Sequence, residues 1–96
     1  MITTFAYKNP GAKQVLENQG YHIIDCRGLA NPWSVVELRP LPGTNDLVIE
    51  YIQKNSRPEL IDSLLNEAAK HDKVAFGCYG GHHRSVAMAH LLSRPK

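Results

Sequence analysis

The sequence predicts an α/β fold: a small parallel or mixed sheet flanked by helices, with a strand–glycine loop–helix anion-binding motif. Short apolar or β-rich runs alternate with segments of helical spacing in the order β-α-β-(long loop)-α-α-β-α. Near the C-terminus, residues 73–92 combine a buried-type strand, a glycine pair and a helix. With 96 residues, we expect a single domain over residues 1–96.

The first half of the chain predicts two strands and a helix. Residues 2–7 are β-rich, residues 12–18 suit a short helix that ends before Gly20, and residues 21–26 form a second apolar strand. A long proline-bearing loop follows over residues 28–43. Because loops of this length are uncommon in small domains and often functional, we expect it to contribute to a site.

The second half begins with two helices. Thr44 or Asn45 is placed to cap the first of them, and Ser56 and Glu59 have the spacing of a capping box for the second. A strand over residues 74–78 and a helix from about Ser85 complete the order. In such sheets ligands bind beyond the carboxyl ends of the strands, so the ends of the second and last strands should meet if these strands are neighbours.

Composition limits the classes of function. The chain is 43% hydrophobic and 21% charged, as soluble globular proteins are, and its net charge of +2 is too small to indicate nucleic-acid binding by itself. It lacks a signal-peptide pattern and has no apolar run near the ~20 residues of a membrane span. Its two cysteines do not make a disulfide framework. We expect a cytoplasmic protein without membrane contact and without a cofactor.

The stretch around the glycine pair has the features of a phosphate site. Gly80 and Gly81 allow a tight positive-φ turn, and the helix N-terminus behind them offers free N–H groups and partial positive charge. Arg84 adds a two-pronged cation, and we expect the fold to tolerate its loss because a cation there opposes the dipole. The lysine of a triphosphate-binding loop is missing. Arg39 is either a second anion contact or a surface group.

A second interpretation is catalytic. The spacing Cys78-x5-Arg84, followed by Ser85, is the phosphate-loop pattern of cysteine-dependent phosphatases, in which a thiolate attacks phosphorus. Gly77 stands where those enzymes usually have histidine, and no acidic residue follows Ser85. We therefore favour binding without a catalytic residue and keep the phosphatase as the alternative.

The histidines and the tryptophan can be explained without a metal site or a stacking site. The spacing of His82, His83 and His90 matches no zinc pattern, so we expect no metal, with one of the paired histidines facing the ligand and the other facing solvent. Trp33 is expected to be a packing residue.

Three ordered motifs resemble the C-terminal domain of the RapZ family, the small-RNA-binding RNase adapter proteins. Residues 77–86 resemble the G-C-T-G-G-x-H-R-S-V segment of that family, and residues 25–32 are similar to D-x-R-x-L-x-N-P. Leu38-Arg-Pro40 and Gly43 match the segment that follows, and Phe5-Ala-Tyr7 resembles the start of the domain. The resemblance covers nearly the whole chain. Tyr79 and Trp33 depart from it, standing where the family has threonine and histidine.

The resemblance implies a domain that binds an amino-sugar phosphate, glucosamine 6-phosphate, and that contributes to RNA binding and self-association. Carried over by position, the ligand-binding residues are Asp25, Arg27, Asn31, Cys78, Tyr79, Gly80, Gly81, His83 and Arg84. The nucleotide-binding domain and basic tail of full-length members are expected to be absent. A purely RNA-binding module is a third hypothesis, based on Arg57, Lys70, Lys73 and Arg84, and the low net charge predicts weak binding.

Overall fold

The computed structural model describes residues 1–94 and contains one parallel three-stranded sheet. The strands are β1 (Ile2–Ala6), β2 (His22–Asp25) and β3 (Val74–Cys78), arranged in the order β1-β3-β2. The β2–β3 register pairs Ile24 with Phe76 and Asp25 with Gly77. The second and last strands are therefore neighbours whose carboxyl ends lie side by side, which confirms the predicted arrangement.

Four α-helices complete the fold. They are α1 (Ala12–Asn18), α2 (Asp46–Asn55), α3 (Pro58–Ala68) and α4 (Arg84–Ser93). The order of elements predicted from the sequence is confirmed. Two short 3-10 helices, Pro32–Ser34 and Val36–Leu38, interrupt the long loop, where the sequence predicted no regular structure. Within residues 1–94 no helix combines the length and the apolar character required to traverse a lipid bilayer.

The core lies between the sheet and helices α2 to α4. Helix α4 contacts β3 and β1, α3 contacts β2, and α2 packs on α4. All five residues of β3 are buried, which explains why this central strand is apolar throughout. The largest fully buried side chains include Phe76, Ile24, Ile52 and Met88. Each contributes about 1.5–3 kcal/mol through removal of apolar surface from water.

Helices α2 and α3 have different N-terminal caps. Asn45 caps α2 as predicted, because its side chain accepts a hydrogen bond from the Leu47 N–H at 2.9 Å. The capping box predicted for α3 is wrong: Arg57 is the N-cap residue and makes no side-chain cap bond. The Ser56 hydroxyl instead accepts from the Ala30 N–H at 2.8 Å, tying the long loop to the helix. The proline that follows Arg57 supplies the helical φ at the first position of α3.

Candidate functional site

A cleft of about 810 Å³ opens beyond the carboxyl end of β3. Its walls come from the loop between β3 and α4, the first turn of α4 and the long loop between β2 and α2. This volume lies within the ~300–1,000 Å³ usual for small-molecule sites. The cleft thus lies where ligands of parallel α/β proteins bind, beyond the carboxyl ends of the strands.

The floor of the cleft turns at Gly81. This residue has φ of +72°, a left-handed conformation that disfavours side chains, and an added Cβ would lie 3.0 Å from that of Ala6. The predicted positive-φ turn is thus present at Gly81, and φ of Gly80 is not positive. Within residues 1–94, no N–H from Gly80 to His83 donates to a backbone oxygen. Because the Gly81 N–H is directed at Cys78, the N–H groups of Gly80, His82 and His83 remain as amide donors at the start of α4.

The end of the long loop is fastened to this turn. Because a carbonyl oxygen can only accept, His83 Nε2 carries the hydrogen that it donates to Leu41 O at 2.8 Å. The Gly43 N–H donates to His82 O at 3.1 Å. A Cβ on Gly43 would lie 2.5 Å from His83 O, so only glycine fits this approach. Loop and glycine turn therefore form one packed unit.

Arg84 joins the two sides of the cleft. Its side chain is only 8% exposed, and Nη1 donates to the carbonyl oxygens of Arg27 at 2.9 Å and Leu29 at 3.4 Å. Lys8 and Arg39 also line the cleft, whereas no residue described in its lining is Asp or Glu. The fixed charges of the lining are therefore all positive.

Sequence reasoning missed Lys8. It follows β1, and its N–H donates to Tyr79 O at 3.1 Å, which continues the β1–β3 pairing past the strand ends. Only the knowledge that β1 neighbours β3 could have placed it at the cleft. No pattern local to Lys8 carries that information.

The two cysteines differ in chemistry. Cys78 Sγ lies 3.3 Å from Ser85 Oγ and accepts a hydrogen bond from the Ser85 N–H at 3.4 Å. Burial raises the pKa of Cys78, but hydrogen bonds from Ser85 and Gly81 and the charge of Arg84 outweigh it, so the pKa lies below its usual value. Burial raises the pKa of Cys26 far above the ordinary thiol value. Cys78 is the thiol suited to ionise, and it lines the cleft.

Asp25 and Arg27 line a second, shallower depression of about 380 Å³. Arg27 binds the Asp25 carboxylate with a fork, Nε to Oδ1 at 3.0 Å and Nη2 to Oδ2 at 2.8 Å. Hydrogen bonds from the Arg27 side chain lower the pKa of Asp25. The Arg27 guanidinium also lies 3.7 Å from the centroid of the Tyr7 ring. These two candidate residues therefore bind each other beside the cleft and do not line it.

The other candidates lie together in the cleft. Its lining includes Asn31, Cys78, Tyr79, Gly80, Gly81, His83 and Arg84. Asn31 has a structural task as well, because its Oδ1 accepts from the Trp33 N–H at 3.1 Å. Trp33 is 56% exposed and lines the cleft, so the prediction that it is a packing residue is wrong. Its neighbour Pro32 is buried in its place.

Comparisons with known proteins identify the family of this chain. The family model described as the RapZ C-terminal domain matches residues 1–95. A protein of Roseobacter denitrificans called a nucleotide-binding protein is 42% identical over 100 residues, covering 92% of this chain and 32% of that protein. Another with the same description, from Paramagnetospirillum magneticum, is 36% identical over 105 residues, covering 97% of this chain and 33% of its own. The chain spans about a third of the length of these curated relatives. It belongs to the RapZ C-terminal domain family.

Proposed function

We propose that the cleft binds a small phosphorylated metabolite, an amino-sugar phosphate such as glucosamine 6-phosphate, and that the domain works by binding without catalysis. The observation that carries the proposal is the charge of the cleft: Lys8, Arg39 and Arg84 line it, and no carboxylate occurs among its described lining residues. Family membership supports the choice of sugar phosphate through the resemblance of the site motifs.

The phosphate is expected to sit at the start of α4. There the N–H groups of Gly80, His82 and His83, which donate to no backbone oxygen, add to the helix dipole, and Arg84 is held in place by its carbonyl contacts. The sugar then extends toward the long loop, where Asn31 Nδ2 can donate to a hydroxyl. The amino group of the sugar meets no carboxylate among the described lining residues. Selectivity should therefore depend more on the phosphate than on the amine.

Calorimetric titration tests this order of preference. The ligands are glucosamine 6-phosphate, glucose 6-phosphate, glucosamine and inorganic phosphate. We expect both sugar phosphates to bind, with affinities that differ by less than about fivefold, because an exposed charge contributes under about 1 kcal/mol. Glucosamine that binds as tightly as its 6-phosphate would contradict the proposal.

The names of the relatives add one ligand to the titration. Both are called nucleotide-binding proteins, and this chain matches about a third of each. A nucleoside monophosphate carries the same phosphomonoester as a sugar phosphate and fits a cleft of about 810 Å³. It therefore belongs in the same series as a competing candidate.

A cysteine phosphatase remains the second candidate function. It is favoured by the lowered pKa of Cys78, with Ser85 at its sulfur and Arg84 at the required spacing. In that reaction the thiolate would attack phosphorus and the leaving alcohol would take a proton from a general acid. The described cleft lining offers no carboxylic acid for this step.

An aryl phosphate assay separates the two functions. We expect no turnover by the parent domain or by Cys78→Ser, while both bind the sugar phosphate. Turnover by the parent that disappears in Cys78→Ser would establish the phosphatase and overturn the binding-only proposal. Serine preserves the size of the side chain but not a readily ionised nucleophile.

RNA binding, self-association and a cytoplasmic location are further parts of the proposal. Among the basic residues considered for RNA, Arg84 is buried, and Lys73 lies 4.8 Å from the Tyr21 ring centroid, whereas Arg57 and Lys70 are exposed. We therefore expect weak RNA binding that falls steeply with salt, measurable by gel shift between low and physiological salt. Two free thiols are compatible with a reducing compartment.

A further inference from the structure

We propose that Trp33 is the specificity-determining residue of the cleft, the surface on which the ring of a phosphorylated ligand stacks. This inference rests on the proposed function, because it requires the phosphate of the same ligand to bind at the start of α4. The ligand class it defines is a phosphomonoester carried on a ring, either a sugar or a nucleobase-bearing ribose. Neither the phosphate site nor the glycine turn involves Trp33.

The exposure of Trp33 calls for an explanation. It is the single tryptophan of the chain, and it lines the cleft with 56% of its surface accessible. A tryptophan is the largest apolar surface a residue can offer, and leaving it in water forgoes the gain of burying it. A ligand ring laid on this side chain would recover that gain.

Trp33 is held in place although it is exposed. On one side of the residue, Asn31 Oδ1 accepts from its N–H at 3.1 Å. On the other side, Arg39 Nε donates to its carbonyl oxygen at 2.7 Å, and the Arg39 guanidinium carbon lies 5.2 Å from the ring centroid. Both polar groups of its backbone are thus fixed by side chains that also line the cleft. Because this backbone is fixed before binding, less entropy is lost when a ligand binds the indole that it carries.

Trp33 also lies at the correct distance from the phosphate site. Its ring centroid is 6.4 Å from that of His83, with an angle of 38° between the planes. The His83 ring is fixed by its bond to Leu41 O, and His83 immediately precedes Arg84. A molecule with its phosphate at the start of α4 therefore has its ring within reach of Trp33. Stacking on an indole suits the C–H face of a sugar and the π-face of a base.

The single tryptophan makes the test direct, because fluorescence excited at a wavelength that the four tyrosines hardly absorb reports on this residue alone. Glucosamine 6-phosphate and uridine monophosphate are titrated against the parent and compared with inorganic phosphate. We expect at least one of the two ring compounds to change the emission and inorganic phosphate to leave it nearly unchanged. The compound that changes the emission shows whether the ring that stacks on Trp33 is a sugar or a nucleobase.

Calorimetry of Trp33→Ala and Trp33→Phe completes the test. Trp33→Ala should weaken the ring compound about tenfold and leave inorganic phosphate within about twofold, whereas Trp33→Phe should retain most of the affinity. Because the side chain is exposed, both variants should fold, which circular dichroism checks.

The outcomes separate this inference from the proposed function. If Trp33→Ala binds both ring compounds as the parent does, Trp33 is not the stacking surface, and the phosphate site stands. If no phosphate compound binds the parent, the proposed function fails and the inference fails with it. If Trp33→Ala weakens inorganic phosphate as much as the ring compound, Trp33 only supports the structure of the cleft, and the inference is also overturned.

Discussion

Arg84→Ala is the substitution that tests the cleft most directly. Arg84 is 8% exposed, lines the cleft and holds the carbonyl groups of Arg27, just before the long loop, and Leu29, within it. Its removal should therefore change two measurable quantities, the affinity for a phosphate ligand and the free energy of unfolding. The two effects have different causes and can be measured separately.

The loss of affinity follows from a charge-assisted contact in a partly enclosed site. Such a contact contributes about 1.5–3 kcal/mol, so Arg84→Ala should weaken glucosamine 6-phosphate about ten- to a hundredfold. Arg84→Lys should recover only part of this, because lysine keeps the charge and loses the planar fork. Free phosphate should lose affinity in the same proportion, since the contact is to the phosphate.

The loss of stability was not expected from the sequence. From the helix dipole alone, removal of a cation at the start of α4 would be tolerated or slightly favourable, by about 0.3–1 kcal/mol. The structure adds hydrogen bonds from Nη1 to the carbonyl oxygens of Arg27 and Leu29. Their loss costs about 1–3 kcal/mol, so we expect a net destabilisation of about 1–2 kcal/mol.

Urea denaturation measures the stability, and calorimetry well below the unfolding transition measures the affinity of the folded protein. Arg57→Ala is the matched control, because Arg57 is exposed and makes no side-chain cap bond to α3. It removes the same charge and should leave both quantities nearly unchanged. If Arg84→Ala binds the phosphate ligand as tightly as the parent, the start of α4 is not an anion site.

Three further predictions concern neighbouring groups. Cys78 should react with iodoacetamide at lower pH than Cys26, because its pKa is lowered and that of Cys26 is raised; peptide mass spectrometry showing equal modification would contradict this. Gly81→Val should weaken ligand binding about tenfold more than the control Gly80→Val in calorimetry, because of these two glycines Gly81 is the one with positive φ. The guanidinium bound to Asp25 lowers its pKa below 3.8, so the stability that this carboxylate adds is present above about pH 4 and lost as pH falls further. Asp25→Asn should therefore cost under about 1 kcal/mol at pH 7 and nothing in acid, as measured by urea denaturation at each pH.

The elements of the fold could be predicted because their signals are local. The apolar run over Val74–Cys78 and the helical spacing of Ala12–Asn18 lie within single segments, and the structure has both with these bounds. The Asn45 cap is likewise a contact two residues long. Periodicity and capping act over one or two turns, so they can be recognised without knowledge of the tertiary structure.

The details of the site depend on contacts between distant segments and could not be predicted in the same way. Ser56 has the spacing of a cap, yet its hydroxyl is taken by Ala30, 26 residues away. His83 binds Leu41, 42 residues away, and this contact closes the long loop over the glycine turn. In the short helix over Pro32–Ser34, Pro32 is buried and Trp33 is exposed. None of these contacts is expressed in local propensity, because each depends on which distant groups the folded chain brings next to one another.

The position of Asp25, in the depression beside the cleft, determines whether the site can distinguish glucosamine 6-phosphate from glucose 6-phosphate. Asp25 is a carboxylate beside the cleft, and the charge of Arg84 contributes to its lowered pKa, so the two groups are electrostatically coupled. Asp25 is bound by Arg27, and both side chains are about half exposed, so the pair contributes at most about 1 kcal/mol. An ammonium group could therefore replace the Arg27 guanidinium at little cost. Discrimination above fivefold in favour of glucosamine 6-phosphate would then require Asp25 to turn toward the cleft, because the described lining supplies no other carboxylate. A preference below fivefold would mean that Asp25 stays bound to Arg27. The cleft would then recognise the phosphate and the ring of the ligand but not its amino group.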